Sequence, residues 1–200
     1  MVKLILVRHA LTNDNQSNRL SGHIDSLISE KGKIQIEKIT EFLKDIHIDR
    51  IYTTTSKRTK DTVKKLAQLK SLEIIENEFL KEISFGDFEG KTFDEIKVEY
   101  PNEFQKIINE GYEYKYPNGE SLIDSYQRVV KEIDKIILDN KDSTVLICSH
   151  GGTIRNLITY LITNSYKYHW NFRIDNASVT ILEIEDGFTV INTMNNTNFI

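Results

Sequence analysis

Leu6-Val7-Arg8-His9-Ala10-Leu11-Thr12-Asn13-Asp14-Asn15 begins as an apolar strand and breaks into an Arg-His pair. A second stretch, Thr144-Val145-Leu146-Ile147-Cys148-Ser149-His150-Gly151-Gly152, repeats the pattern late in the chain. Short continuous apolar runs of this kind mark strands buried on both faces, as in parallel sheets. Helical periodicity separates them, and strands alternating with helices define the α/β class. The expected architecture is a three-layer α/β/α sandwich around a mainly parallel central sheet. In such sheets ligands bind beyond the carboxyl ends of the strands, where strand order reverses. His9 and His150 both fall just past strand ends. As parallel neighbours about 4.8 Å apart, the two strands would bring their histidines to one rim. The arginine beside His9 points to an anion.

Working outward, residues 2–7 form the first strand, and 11–27 are polar and irregular. Ser29 is placed to cap a helix whose apolar positions are Ile34, Ile36, Ile39, Phe42, Leu43 and Ile46. Short strands are expected at 49–53 and 72–75. Between them Ser56 caps a helix carrying Thr59, Val63, Leu66, Ala67 and Leu69. Residues 78–90 form a loop punctuated by Gly86 and Gly90. Two short helices, 92–100 and 102–110, are divided by Pro101, which has no N–H to donate. After an aromatic loop at 112–119, residues 120–138 form the clearest amphipathic helix. The strand from Thr144 and a helix at 152–162 follow. A terminal hairpin, 178–184 with 188–193, turns at Asp186-Gly187.

At 200 residues the chain reads as one domain, 1–200. It is large enough to bury roughly 70% of its unfolded surface. The net charge of −4, from 26 basic and 30 acidic residues, argues against a nucleic-acid partner. A local arginine cluster still permits an anionic substrate. The single Cys148 excludes an intrachain disulfide and fits a reducing compartment. The N-terminal apolar run is too short for a signal-peptide core, and no stretch approaches the ~20 apolar residues of a membrane span. These features give a cytoplasmic protein with no membrane partner. The histidines lack a metal-ligand spacing and no Gly-rich nucleotide loop is present, so neither metal nor cofactor is expected. Tyr166, Tyr168, His169 and Trp170 form an aromatic run, assigned by default to packing or a homodimer contact.

The segment from Leu6 to Asn15 resembles the opening motif of the histidine phosphatase superfamily, the phosphoglycerate mutase-like fold. That motif is approximately Leu-x-Arg-His-Gly-x-Thr-x-x-Asn, and Ala10 is the one departure. The resemblance continues through Gly22-His23-Ile24-Asp25-Ser26-Leu27, Gly32, and Thr53 onward to Arg58-Thr59-Lys60-Asp61-Thr62. It runs on through Leu80-Lys81-Glu82-Ile83-Ser84-Phe85-Gly86-Asp87-Phe88-Glu89-Gly90, Gly119-Glu120-Ser121 and Ser149-His150-Gly151-Gly152. Each segment alone is weak, but together, in family order, they are specific.

The resemblance implies a nucleophile at His9, because neutral imidazole can attack phosphorus and divide a hard hydrolysis into two easier steps. Arg8 and Arg58 form the expected phosphate clamp, since guanidinium presents paired planar donors to phosphate oxygens. His150 is expected to donate to a phosphoryl oxygen, with the helix N-terminus at Gly151-Gly152 also facing the anion. Glu82 is the expected general acid for the leaving alkoxide. Asn15 orients a phosphoryl oxygen or Arg8, with an ordinary loop asparagine as the competing reading. Thr12, Ser21 and Gly22 are further pocket candidates. Residues 89–119 should form a lid or pocket wall, rich in Phe93, Tyr100, Phe104, Tyr112, Tyr114 and Tyr116, which would stack on a sugar or base or simply pack as a satellite core. Ala10 is tolerated if its φ is negative and shifts the pocket if it is not. The implied function is a metal-independent phosphatase of small phosphorylated metabolites. α-Ribazole phosphate, sugar phosphates, phosphoglycerates and phosphoserine all stay open. The alternatives are a phosphoglycerate mutase and, of another class, a non-catalytic phospholigand-binding protein.

Overall fold

The computed structural model describes all 200 residues. The strands are β1 (Val2–Arg8), β2 (Arg50–Thr53), β3 (Ile74–Glu76), β4 (Thr144–Ser149), β5 (Val179–Glu185) and β6 (Phe188–Asn196). The helices are α1 (Asn13–Gln16), α2 (Glu30–Leu43), α3 (Lys57–Lys70), α4 (Phe93–Glu99), α5 (Pro101–Glu110), α6 (Leu122–Asp139) and α7 (Gly151–Thr163). One six-stranded sheet has the order β3-β2-β4-β1-β5-β6. β4 lies parallel between β1 and β2, and β3 pairs in parallel with β2. Only β5 is reversed, antiparallel to both β1 and β6.

The apolar runs follow from burial on both faces. Leu4 and Leu6 of β1, with Val145 and Ile147 of β4, pack against Val129 and Ile133 of α6 and Leu157 of α7. Ile5, Val7, Leu146 and Cys148 point the other way, onto Ile39 and Leu43 of α2 and Val63 and Leu66 of α3. A period of two with both faces apolar leaves no polar alternation in the sequence. The chain leaves β1 toward the α2 face and leaves β4 toward the α7 face. Neighbouring parallel strands that exit to opposite faces open a crevice at their carboxyl ends. Arg8 stands opposite Ser149 in the register, and the His9 N–H donates to the Ser149 carbonyl at 2.9 Å.

Several local features depart from expectation. The segment 11–27 contains α1, closed by a capping box in which Thr12 and Asn15 satisfy one another's backbone N–H groups. Ser29 does cap α2, accepting from the Gly32 N–H at 3.1 Å. Ser56 holds the N-cap position of α3, but its hydroxyl caps nothing. Pro101 is not a spacer; it opens α5 as the first helical residue, where its missing N–H costs nothing. Ile34 and Leu69 fall off the buried stripe and are 59% and 60% exposed. The β5–β6 hairpin turns on Asp186 and Gly187, both at positive φ (49° and 79°), the signature of a type I′ turn.

Candidate active site

His9 closes β1 and is buried. A carbonyl oxygen can only accept, so the 2.8 Å contact between His9 Nδ1 and the Ala10 carbonyl puts the ring proton on Nδ1. The lone pair is thereby left on Nε2. Burial first, then the charges of Arg58 and Arg8, push the His9 pKa well below its ordinary value. The ring is neutral and its free nitrogen is nucleophilic. The loop behind it is tied down at three points. The Ala10 N–H donates to Thr62 Oγ1 at 3.0 Å, and the His9 carbonyl accepts from the Ala177 N–H and Asn176 Nδ2, each at 3.2 Å. Ala10 is not among the residues at positive φ, so its methyl is tolerated here.

His150 closes β4, its ring centroid 5.2 Å from that of His9 at an interplanar angle of 65°. Arg58 Nε donates to His150 Nδ1 at 3.3 Å, so the proton of this ring sits on Nε2. Nε2–H donates to Thr54 Oγ1 at 3.1 Å, Thr54 passes on to Thr59 Oγ1 at 2.9 Å, and Thr59 ends on the Ser56 carbonyl at 2.8 Å. Burial, followed by Arg58 and His9, pushes the His150 pKa well down. Donation from His150 to a phosphoryl oxygen requires a proton on Nδ1, which the Arg58 contact excludes while it stands.

Arg58 is buried at the second residue of α3. Nη1 donates to the Ile24 carbonyl at 2.7 Å, and Nη2 to the carbonyls of Ser21 and Gly22 at 2.9 and 2.7 Å. With Nε on His150, most of its donors are committed to organising the 21–24 loop and the second histidine. Arg8 is freer. Nη1 donates to the Ile174 carbonyl at 2.7 Å, while the buried Nε has no partner in the protein. Its guanidinium lies on Gly151, where a Cβ would sit 3.3 Å from Cζ. Burial lowers the Arg8 pKa to about 10, against the raising effect of Glu82, so it stays charged in the working range.

Glu82 faces the α7 N-terminus. Its Oε2 accepts from the Gly152 N–H at 2.9 Å. A Cβ at Gly152 would collide with the same carboxyl, which is why the second glycine is needed. His23 Nε2 lies 3.1 Å from the Glu82 carbonyl and donates to it. Gly22 is also required for space, because a Cβ there would strike the Ile83 carbonyl. Thr12 and Asn15 serve the α1 cap, and Asn15 Oδ1 accepts at 2.9 Å from the same Asn176 amide that holds His9. Ser21 Oγ donates to Asp14 at 2.6 Å. The structure therefore brings His9, His150, Arg8, Arg58, Glu82, Gly151 and Gly22 together, with Thr12, Asn15 and Ser21 behind them as loop supports.

A cavity of about 360 Å³ begins at Glu82 and Gly152. Its lining includes Phe93, Ile107, Tyr114 and Tyr116, and Arg155, Asn156, His169 and Trp170. The aromatic run at 166–170 thus reaches the cavity, which neither of its default assignments anticipated. Sequence reading also missed Glu89, whose carboxylate accepts from the N–H groups of Gly22, His23 and Phe85 at 2.8, 2.9 and 3.0 Å. Arg155 had an available signal: it lies four residues after Gly151, on the same helix face. Thr54 and His169 fall within stretches already singled out, the Thr53–Thr62 motif and the aromatic run, but without an assigned role, and Asn176 had no local signal. Nowhere do three or more His, Cys, Asp or Glu side chains gather as a metal site requires. No helix is long and apolar enough to cross a membrane.

Two histidines and two arginines at the switch point of this sheet order define a phosphoglycerate mutase-like phosphatase architecture. The family model of the histidine phosphatase superfamily (branch 1) matches residues 4–197. The chain is 34% identical to "Phosphoserine phosphatase 1" of Hydrogenobacter thermophilus over 195 residues, 98% of this chain and 92% of that protein. Among solved structures, the α-ribazole phosphatase of Shigella flexneri superposes with a TM-score of 0.91 at 25% identity, covering 97% of this chain and 96% of its own. A phosphoserine phosphatase mutant from Entamoeba histolytica, in complex with phosphoserine, superposes at 0.87 and 25% identity over 100% of both chains. The chain belongs to the histidine phosphatase superfamily. It is a phosphoric monoester hydrolase of that superfamily.

Proposed function

We propose that the chain hydrolyses a small phosphate monoester through a phosphohistidine on His9. The carrying observation is the Nδ1 bond to Ala10, which aims an unprotonated Nε2 away from the backbone. The Nε2 lone pair attacks phosphorus, the ester P–O bond breaks, and the leaving oxygen takes a proton from the Glu82 carboxyl. A water then attacks phosphorus, gives its proton to Glu82 carboxylate, and the P–N bond breaks to regenerate His9. Arg8, with its unpartnered Nε, and the α7 N-terminus at Gly151 hold the phosphoryl oxygens, while Arg58 keeps the loop and His150 in place. These charges take the place of a metal. Residues 89–119 act as a pocket wall within one domain, and the substrate is a cytoplasmic metabolite. O-Phosphoserine and α-ribazole phosphate, named in the relatives, are the first compounds to offer.

The test is p-nitrophenyl phosphate hydrolysis in EDTA by wild type and His9→Ala. Wild type should turn over, and the variant should lose at least roughly a thousandfold in kcat. Retained turnover in His9→Ala, or abolition of wild-type turnover by EDTA, refutes the mechanism.

A further inference from the structure

Arg155 and His169 both line the cavity, and the mechanism uses neither. Arg155 Nε donates to the Phe172 carbonyl at 2.9 Å, and its guanidinium carbon lies 5.4 Å from the Trp170 ring centroid. Its two terminal nitrogens donate to nothing in the protein, and no carboxylate lies within ion-pair distance. Glu82 and Asp175 act on it only through the longer-range field. Arginine keeps its proton even when partly buried, so an uncompensated planar cation lines the cavity. Such a cation is costly to desolvate unless an anion comes to it.

His169 is 2% exposed. Its Nδ1 lies 2.8 Å from Asn156 Oδ1, and Asn156 Nδ2 donates onward to Ser125 Oγ at 3.3 Å. The amide oxygen accepts, so the ring proton is on Nδ1 and Nε2 carries a lone pair with no partner in the protein. Burial, and then the neighbouring Arg155, push the His169 pKa down to about 3. The ring is therefore an acceptor only. The cavity thus offers a forked cation from Arg155 and a single lone pair from His169, which is bonded to Arg155's helical neighbour Asn156. The rest of the lining is mostly apolar and aromatic, with Glu82, Ser125 and Asn156 as its other polar side chains.

We infer that Arg155 and His169 form a carboxylate-reading subsite. The substrate class is a small phosphate monoester bearing a carboxylate next to an O–H or N–H donor: the carboxylate on Arg155, the donor on His169 Nε2. This rests on the phosphatase reading above and narrows it, placing phosphorylated hydroxy and amino acids ahead of sugar and nucleoside phosphates. Arg155 is a specificity residue, distinct from the phosphate-holding Arg8.

The experiment compares matched esters: O-phosphoserine with phosphoethanolamine, and 3-phosphoglycerate with glycerol 3-phosphate. Wild type should favour the carboxylate in each pair by roughly tenfold to a hundredfold in kcat/KM, the scale of one charge-assisted contact. Arg155→Met should collapse that preference, chiefly through KM, and Arg155→Lys should restore part of it. His169→Phe should lower the preference for 3-phosphoglycerate over the phosphate ester of 3-hydroxypropionate, which lacks the 2-hydroxyl. Equal wild-type rates within each pair, with p-nitrophenyl phosphate still hydrolysed in a His9-dependent way, overturn the subsite and leave the phosphatase standing. Equal losses on both members in Arg155→Met also overturn it, assigning Arg155 to phosphate or to folding. Absence of His9-dependent turnover on every ester overturns both readings together.

Discussion

A methyl group stands at Ala10 where the superfamily motif has glycine, and the backbone accepts it because φ there is not positive. The residue works through its main chain: its carbonyl holds the His9 proton and its N–H is held by Thr62. Glycine would add freedom to the unfolded chain and gain nothing in the folded one. Ala10→Gly should destabilise the protein by about 0.5–1 kcal/mol, read from urea unfolding. Turnover should stay within about twofold, and a gain in both stability and rate would show that the methyl crowds the pocket. At this scale the sequence was informative about identity but not about commitment. Arg58 is recognisable by its motif, yet the carbonyls that absorb its donors belong to residues 21–24, which only the fold brings near.

Glu82, the proposed general acid, is mounted by elements that do not carry it. Arg128 of α6 grips the Glu120 carboxylate through Nε and Nη2, each at 2.8 Å, and donates from Nη1 to the carbonyls of Phe79 and Lys81 at 2.7 and 3.1 Å. Thr153 of α7 also donates to the Lys81 carbonyl, at 2.7 Å, and Ser149 at the end of β4 donates to the Leu80 carbonyl, also at 2.7 Å. The chain leading to Glu82 is thus pinned from three sides. Arg128→Met should lower kcat on an alkyl phosphate by roughly tenfold to a hundredfold, with KM little changed, as expected for a misplaced catalytic group. The loss on p-nitrophenyl phosphate should be smaller, because its leaving group needs little proton help. Equal losses on the two esters would mean that the segment shifts as a whole. Element types were legible because apolar spacing is a local property. The α1 turn was missed because its capping box is too short to leave a periodic trace.

Across the whole molecule, His9, His150 and His169 are buried neutral. For His169 the folded pKa of about 3 lies below the unfolded value of roughly 6.5. Above pH 6.5 both states are neutral and its contribution to stability is complete. As pH falls, the unfolded chain takes up the proton first, so stability is lost through this window down to about pH 3. Between pH 7 and pH 5 this one ring accounts for about 2 kcal/mol. His169→Gln should shrink the drop in unfolding free energy over that interval by about this amount. An unchanged drop would show that the ring is already protonated in the native state.

The sequence by itself determined the α/β class, the two strands that end in histidine, and the family, because strand burial and motif spacing are written over short stretches of chain. Tertiary structure alone decided how those residues are used. Strand order brought β4 beside β1, and the diverging exits of the two strands opened the crevice between His9 and His150. Residues from five separate stretches, 20, 82–85, 93–125, 152–156 and 169–170, enclose the cavity. Their meeting depends on packing free energy summed over the whole core, and no local pattern encodes that sum.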